Sequence, residues 1–122
     1  MEERLYTPDE ATALLPNLAP TLVELREKFE AAARIRQTVA AAASSNGGSP
    51  ERDAWERTLA RVGELIERLQ EWAVELRDLN QGLVDFPARI EDEEAWLCWR
   101  LGEPEVAYWH PRTTGFADRR PL

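Results

Sequence analysis

One cysteine, one histidine, one methionine and, among fifteen basic residues, a single lysine, Lys28, are all this 122-residue chain has of those types. A lone cysteine excludes an internal disulfide and an all-cysteine zinc site, and it agrees with a reducing compartment. No stretch approaches the roughly 20 apolar residues that span a bilayer. The opening MEERLYTPDE has acids where a secretory signal would have an apolar run, so the expected location is cytoplasmic. Positive charge is scarce as well. With a net charge of -8 and a pI near 4.7, the chain is poorly suited to neutralising phosphates, and neither nucleic acid nor an anionic membrane surface is an expected partner. The sequence has no phosphate-cradling glycine loop, no serine nucleophile elbow and no HExxH. Arginine in place of lysine, together with abundant alanine, points to a GC-rich genome rather than to a function.

What is present falls into two parts. The TPDE at 7–10 is a helix start, with Thr7 as cap, Pro8 at the first helical position and Glu10 returning the capping bond. A short helix over 8–15 is expected, ended or kinked by Pro16 and Pro20. Leu18, Leu22, Leu25, Phe29, Ala32 and Val39 then form a heptad seam. After the helix-breaking SSNGGSP at 44–50 the seam resumes at Trp55, Leu59, Val62, Ile66, Leu69, Ala73 and Leu76. The spacing predicts an antiparallel hairpin of helices over 17–43 and 50–79. Acid–base pairs four apart, such as Glu24 with Lys28 and Glu64 with Arg68, read as its solvated face. Two helices leave one apolar stripe uncovered, which favours self-association, most simply as a dimer.

At Gly82 the period changes. LVDFP, AWLCWRL and VAYWH are dense in β-branched and aromatic residues, with turns at EDEE and GEPE, and predict short antiparallel strands near 83–90, 95–101 and 106–110. The fold class is therefore α+β: a long antiparallel, coiled-coil-like helical hairpin plus a small C-terminal antiparallel sheet over 82–122, all in one domain.

The unusual residues sit in this last part. A four-residue GEPE turn pairs Leu101 with Val106, which sets His110 opposite Leu97 and Cys98 opposite Trp109. Cys98 and His110 then point to opposite faces, unless a bulge shifts the register by one. With such a shift, His110 and Cys98, with Asp85, Glu103 or Glu105 as oxygen ligands, make a mixed N, S and O set that suits zinc or iron. The favoured reading of a lone buried cysteine is nevertheless a small core hydrophobe. A thiol–imidazole nucleophilic pair of Cys98 and His110 is disfavoured by the apolar neighbours Leu97 and Trp99. A third reading is a small-ligand pocket walled by Trp96, Trp99, Tyr108, Trp109 and Phe116, in which Arg100, Glu103, His110 and Arg119 orient the ligand. Arg100 needs a carboxylate, with Asp85 or Glu103 as internal candidates, and Asp85, set among apolar residues, needs a donor.

The strings YTPDEATALLP, GLVDFPARI, LCWRLGEPEVAYWH and GFADRRPL resemble the bacterial proteins catalogued as domain of unknown function 2203. The likeness covers nearly the whole chain and implies that residues 82–122 are the characteristic part. It implies no activity, substrate or catalytic residue.

The sequence thus favours a non-enzymatic, cytoplasmic, homo-oligomeric protein that binds a small ligand or a divalent metal through its C-terminal motif. One alternative is a metal-dependent hydrolase or oxidoreductase using Cys98, His110 and acidic residues. The other is a coiled-coil adaptor acting through the helical seam.

Overall fold

The computed structural model describes residues 3–41 and 50–122. Helix α1 spans Pro8–Ala41 and α2 spans Pro50–Glu71. Strands β1 (Glu75–Asp78), β2 (Leu83–Ile90), β3 (Glu93–Arg100), β4 (Tyr108–Pro111) and β5 (Arg120–Pro121) follow, with a 3-10 turn at Phe116–Asp118. The five strands form one antiparallel meander in chain order. The fold is α+β, a helical pair followed by a C-terminal sheet. Residues 42–43 of the first expected helix and 44–49 of the expected helix-breaking segment lie outside the described residues, and Pro50 opens α2.

The N-terminal capping box forms as the sequence requires. The Glu10 carboxylate accepts from the Thr7 N–H at 2.9 Å, and Thr7 Oγ1 accepts from the Glu10 N–H at 3.1 Å. The expected break at Pro16 and Pro20 does not occur, and α1 runs through both. The two prolines are four apart and therefore share one face, and that face is exposed. Carbonyls that lose their intrahelical donor there can turn to water, so the helix survives.

The C-terminal end of α2 also departs from expectation, at Glu71 rather than 79. It closes in a Schellman motif: Val74 N–H donates to Leu69 O at 3.0 Å and Ala73 N–H to Gln70 O at 3.0 Å, with Ala73 in the left-handed region (φ 58°). Glycine usually fills that position, and its absence hid the stop. Residues 75–78 then become β1.

Within the helical pair, Leu18, Leu22 and Leu25 pack with Val62, Leu65 and Leu69 in the core. Leu65 is inside, whereas Leu59, Ile66 and Phe29 of the expected seam are exposed. A strict heptad would have buried Ile66. The sheet covers only one end of the pair, so the buried stripe follows the sheet rather than a coiled-coil axis. Glu24 bonds across to Arg61 at 2.6 and 2.8 Å, not to Lys28, and Glu64 joins the same guanidinium at 2.9 Å.

One face of the sheet, carrying Val84, Phe86, Ala88, Leu97 and Trp99, joins Leu15, Leu18 and Leu22 of α1 in the main core. Tyr6 ties the N-terminus to this arrangement. Its N–H donates to Pro87 O at 2.7 Å, its hydroxyl donates to Trp72 O at 2.6 Å, and its ring meets Phe86 edge-on. Residues 83–88 of β2 are buried on both faces, because the chain after β4 folds back over the second face. Among the described residues no helix is long and apolar enough to cross a membrane.

Gly82 fixes the start of β2. It has φ +65°, a Cβ placed there would lie 2.5 Å from Leu101 Cβ, and its carbonyl accepts from Leu101 N–H at 3.0 Å. Gly82→Ala combines a left-handed backbone cost with a contact that neither partner can relieve by rotating. We expect a loss of about 2 kcal/mol or more, read from the urea midpoint. A change below about 0.5 kcal/mol would show that the loop simply shifts.

Candidate functional site

The β3–β4 register decides what the second face can do. Trp96 pairs with His110, Leu97 with Trp109 and Cys98 with Tyr108. This is one residue away from the register that a tight GEPE turn imposes. The turn is wider, with Glu103 N–H bonded to Arg100 O at 3.0 Å and residues 101–107 outside the ladder. Because side chains alternate, the one-residue shift brings Cys98 and His110 to the same face. Asp85, directly opposite Cys98 on β2, shares it.

Three strands thereby converge on one point. Asp85 is 2 %, Cys98 1 % and His110 2 % exposed. A carboxylate oxygen, the thiol sulfur and an imidazole nitrogen from these three all lie within 4.8 Å of one another. His110 Nε2 lies 3.0 and 3.1 Å from the two Asp85 oxygens, and Nδ1 lies 2.9 Å from Pro111 O. A main-chain carbonyl only accepts, so Nδ1 carries a proton. Nε2 then shares a proton with the Asp85 carboxyl group or offers its lone pair to a cation held between them. A ring nitrogen anchored on a carbonyl is also how metal-binding histidines are oriented.

Arg77 supplies the donor that Asp85 needs, with Nε donating to Oδ2 at 2.9 Å. The β1–β2 register shifts between Leu76 and Asp78, so Arg77 sits at a bulge, a device that re-aims a side chain toward a site. Sequence reasoning missed Arg77 because it extended α2 through residue 79. The period-two pattern of Val74 and Leu76 against Glu75 and Arg77 was the available signal.

Burial, and then the adjacent Asp85 carboxylate, push the Cys98 thiol up to about 12. Both His110 nitrogens are engaged with oxygens, so neither is free to deprotonate the sulfur. The geometry does not activate a nucleophile. In the metal-free protein the folded chain retains a proton that the unfolded thiol releases near pH 9. The resulting stabilisation is complete below pH 9 and is lost as pH rises toward 12. We expect the urea midpoint to fall more steeply across that range in the parent than in Cys98→Ala. Equal slopes would contradict the shift.

A cavity of about 350 Å³ opens beside the cluster, lined by Asp85 and Cys98 at its floor, by Arg77, Leu83 and Trp96, and by residues 112–116 of the returning chain. Both Arg77, at 4.9 Å, and Arg112, at 4.3 Å, lie over the Trp96 ring. Arg112 is anchored by Ala95 O at 2.7 Å and by Glu3 at 3.0 Å.

The other expected site residues lie elsewhere. Trp99 is buried on the helix-facing side, its indole N–H donating to Glu103 O at 3.0 Å, and Trp109 packs against the same core. Alternation puts both on the sheet face opposite the cavity. Glu103 does not join the cluster: it pairs with Arg119 at 2.7 and 2.9 Å and accepts from the Arg100 N–H at 2.7 Å. Arg119 covers the Tyr108 ring at 3.9 Å. Among the described residues neither Asp85 nor Glu103 is the carboxylate partner of the Arg100 guanidinium, which lies 5.5 Å from the Phe116 ring. Arg77 and Arg119 occupy those acids instead.

A family model described as an uncharacterized conserved protein (DUF2203) matches residues 4–122. No curated protein and no solved structure matches the chain.

Proposed function

Since the chain belongs to the DUF2203 family of uncharacterised conserved proteins, a membership that brings no chemistry with it, we propose from the geometry that it is a metal-binding protein. Asp85, Cys98 and His110 would hold one divalent transition metal, zinc or iron. The observation that carries this reading is the buried convergence of one oxygen, one sulfur and one nitrogen donor from three adjacent strands. That mixture is borderline-soft and suits zinc or ferrous iron better than magnesium or calcium. Three protein ligands would leave an open position for an exchangeable ligand, unlike a closed structural site, and two of them, Asp85 and Cys98, line the cavity.

The test loads chelator-treated full-length protein with Co(II), which reports thiolate coordination by charge-transfer absorption. One cobalt per chain is expected, with the sulfur band absent in Cys98→Ser and stoichiometric loading lost in His110→Ala. No loading of the parent, or loading indifferent to both substitutions, overturns the reading.

The open position also favours a second reading, a metal-dependent hydrolase or oxidoreductase at the same site. Turnover that rises and falls with metal content would separate it from simple binding. We further propose that the protein self-associates, supported by the exposed Phe29, Leu59 and Ile66 on the helical pair. Sedimentation of parent and Leu59→Glu tests this, an unchanged monomer in both counting against it. A cytoplasmic setting in a bacterium remains the reading that acidic composition and a single thiol support, and cell fractionation tests it.

A further inference from the structure

The cavity above the cluster has a ligand chemistry of its own. Arg77 uses only Nε on Asp85; its two Nη groups make no hydrogen bond among the described residues, and the side chain is 42 % exposed. Arg112 stands on the same wall beside Trp96. A divalent ion at the floor would be neutralised by one carboxylate and one thiolate; with Arg112 already paired to Glu3, the Arg77 guanidinium then gives the space its positive charge. Leu83, Trp96 and Phe116 supply apolar wall, and the volume is at the small end of ligand pockets, roughly 300–1,000 Å³.

We infer that this cavity binds a small organic monocarboxylate, its carboxylate held by the Arg77 Nη groups and its carbon skeleton seated against Trp96 and Phe116. A planar guanidinium fork matches a carboxylate. Inorganic phosphate would satisfy the charge but leave the apolar walls unfilled. The inference rests on the metal reading for the charge of the floor: with Asp85 alone there, the same cavity is far less favourable to an anion.

The experiment titrates full-length protein calorimetrically with benzoate, benzamide and phosphate, before and after loading with Co(II), while elemental analysis reports metal content separately. Benzoate should bind the loaded parent at least tenfold more tightly than benzamide or phosphate does, and more tightly than it binds metal-free protein. Arg77→Met at saturating cobalt should lose at least tenfold in benzoate affinity, and Arg77→Lys should recover part of it by restoring charge without the fork. Thermal melts of both variants report whether they are folded. Loaded parent that ignores benzoate, prefers phosphate, or binds benzoate equally after Arg77→Met overturns the inference and leaves the metal reading intact. If no metal loads, the metal reading fails by itself. Benzoate binding that depends on Arg77 in the metal-free chain would then keep the carboxylate site, and its absence would remove it.

Discussion

Asp85→Ala should be among the most damaging single substitutions in this protein, lowering the stability of the metal-free chain by on the order of 3 kcal/mol and abolishing stoichiometric metal loading. The side chain is 3 % exposed and accepts from Arg77 on one side while facing His110 on the other. Its removal takes away the Nε2 partner of His110, a residue only 2 % exposed. Arg77 suffers less because its side chain is 42 % exposed. Asp85→Asn keeps the shape and one acceptor oxygen, so it should cost less stability yet still weaken metal binding through loss of charge. Urea denaturation of Asp85→Ala, His110→Ala and the double variant reads the pair directly. The double variant should be more stable than the sum of the single losses implies, because removing both partners leaves nothing unsatisfied. Additive losses would mean that the two side chains do not act as a unit.

Trp99→Ala should cost about as much or more, near 3–5 kcal/mol, for an unrelated reason. Trp99 is 2 % exposed in the core between sheet and helices, and its N–H ties β3 to the loop at Glu103. Truncation leaves a cavity that neighbours on two layers cannot fill. Trp99→Phe retains most of the apolar volume and drops the hydrogen bond, for a cost of about 1 kcal/mol beyond any repacking. The Phe variant should still load metal, because its ring lies on the opposite face from Cys98. Loss of metal in a folded Trp99→Phe protein would place this residue in the site after all, where the sequence reading had put it.

The contrast between these two residues shows how far the sequence could be read. Both stand in aromatic, apolar strings with nothing local to separate a cavity wall from a core wall. Alternation assigned Trp96 and Cys98 to one side and Leu97 and Trp99 to the other, which the sheet keeps. Which side faces the helices does not follow from alternation. Nor does the position of His110 relative to Cys98, since that depends on whether GEPE closes tightly or residues 101–107 form a wider loop. Arg77 lay further from reach, because Ala73 took the left-handed position where glycine would have announced the end of α2.

By itself the sequence determined the α+β class, the capping box at Thr7 and Glu10, the location of β2 at Leu83–Ile90 and the concentration of distinctive side chains after Gly82. These follow from local forces: backbone capping, residue propensity and the periodicity of burial along one element. Only the tertiary structure decided that Asp85, Cys98 and His110 meet, that Glu103 belongs to Arg119 and that Leu65 rather than Ile66 is inside. Each of these depends on a register or rotation between elements. A one-residue slip in such a relation inverts every side chain, while the residues within each element stay the same.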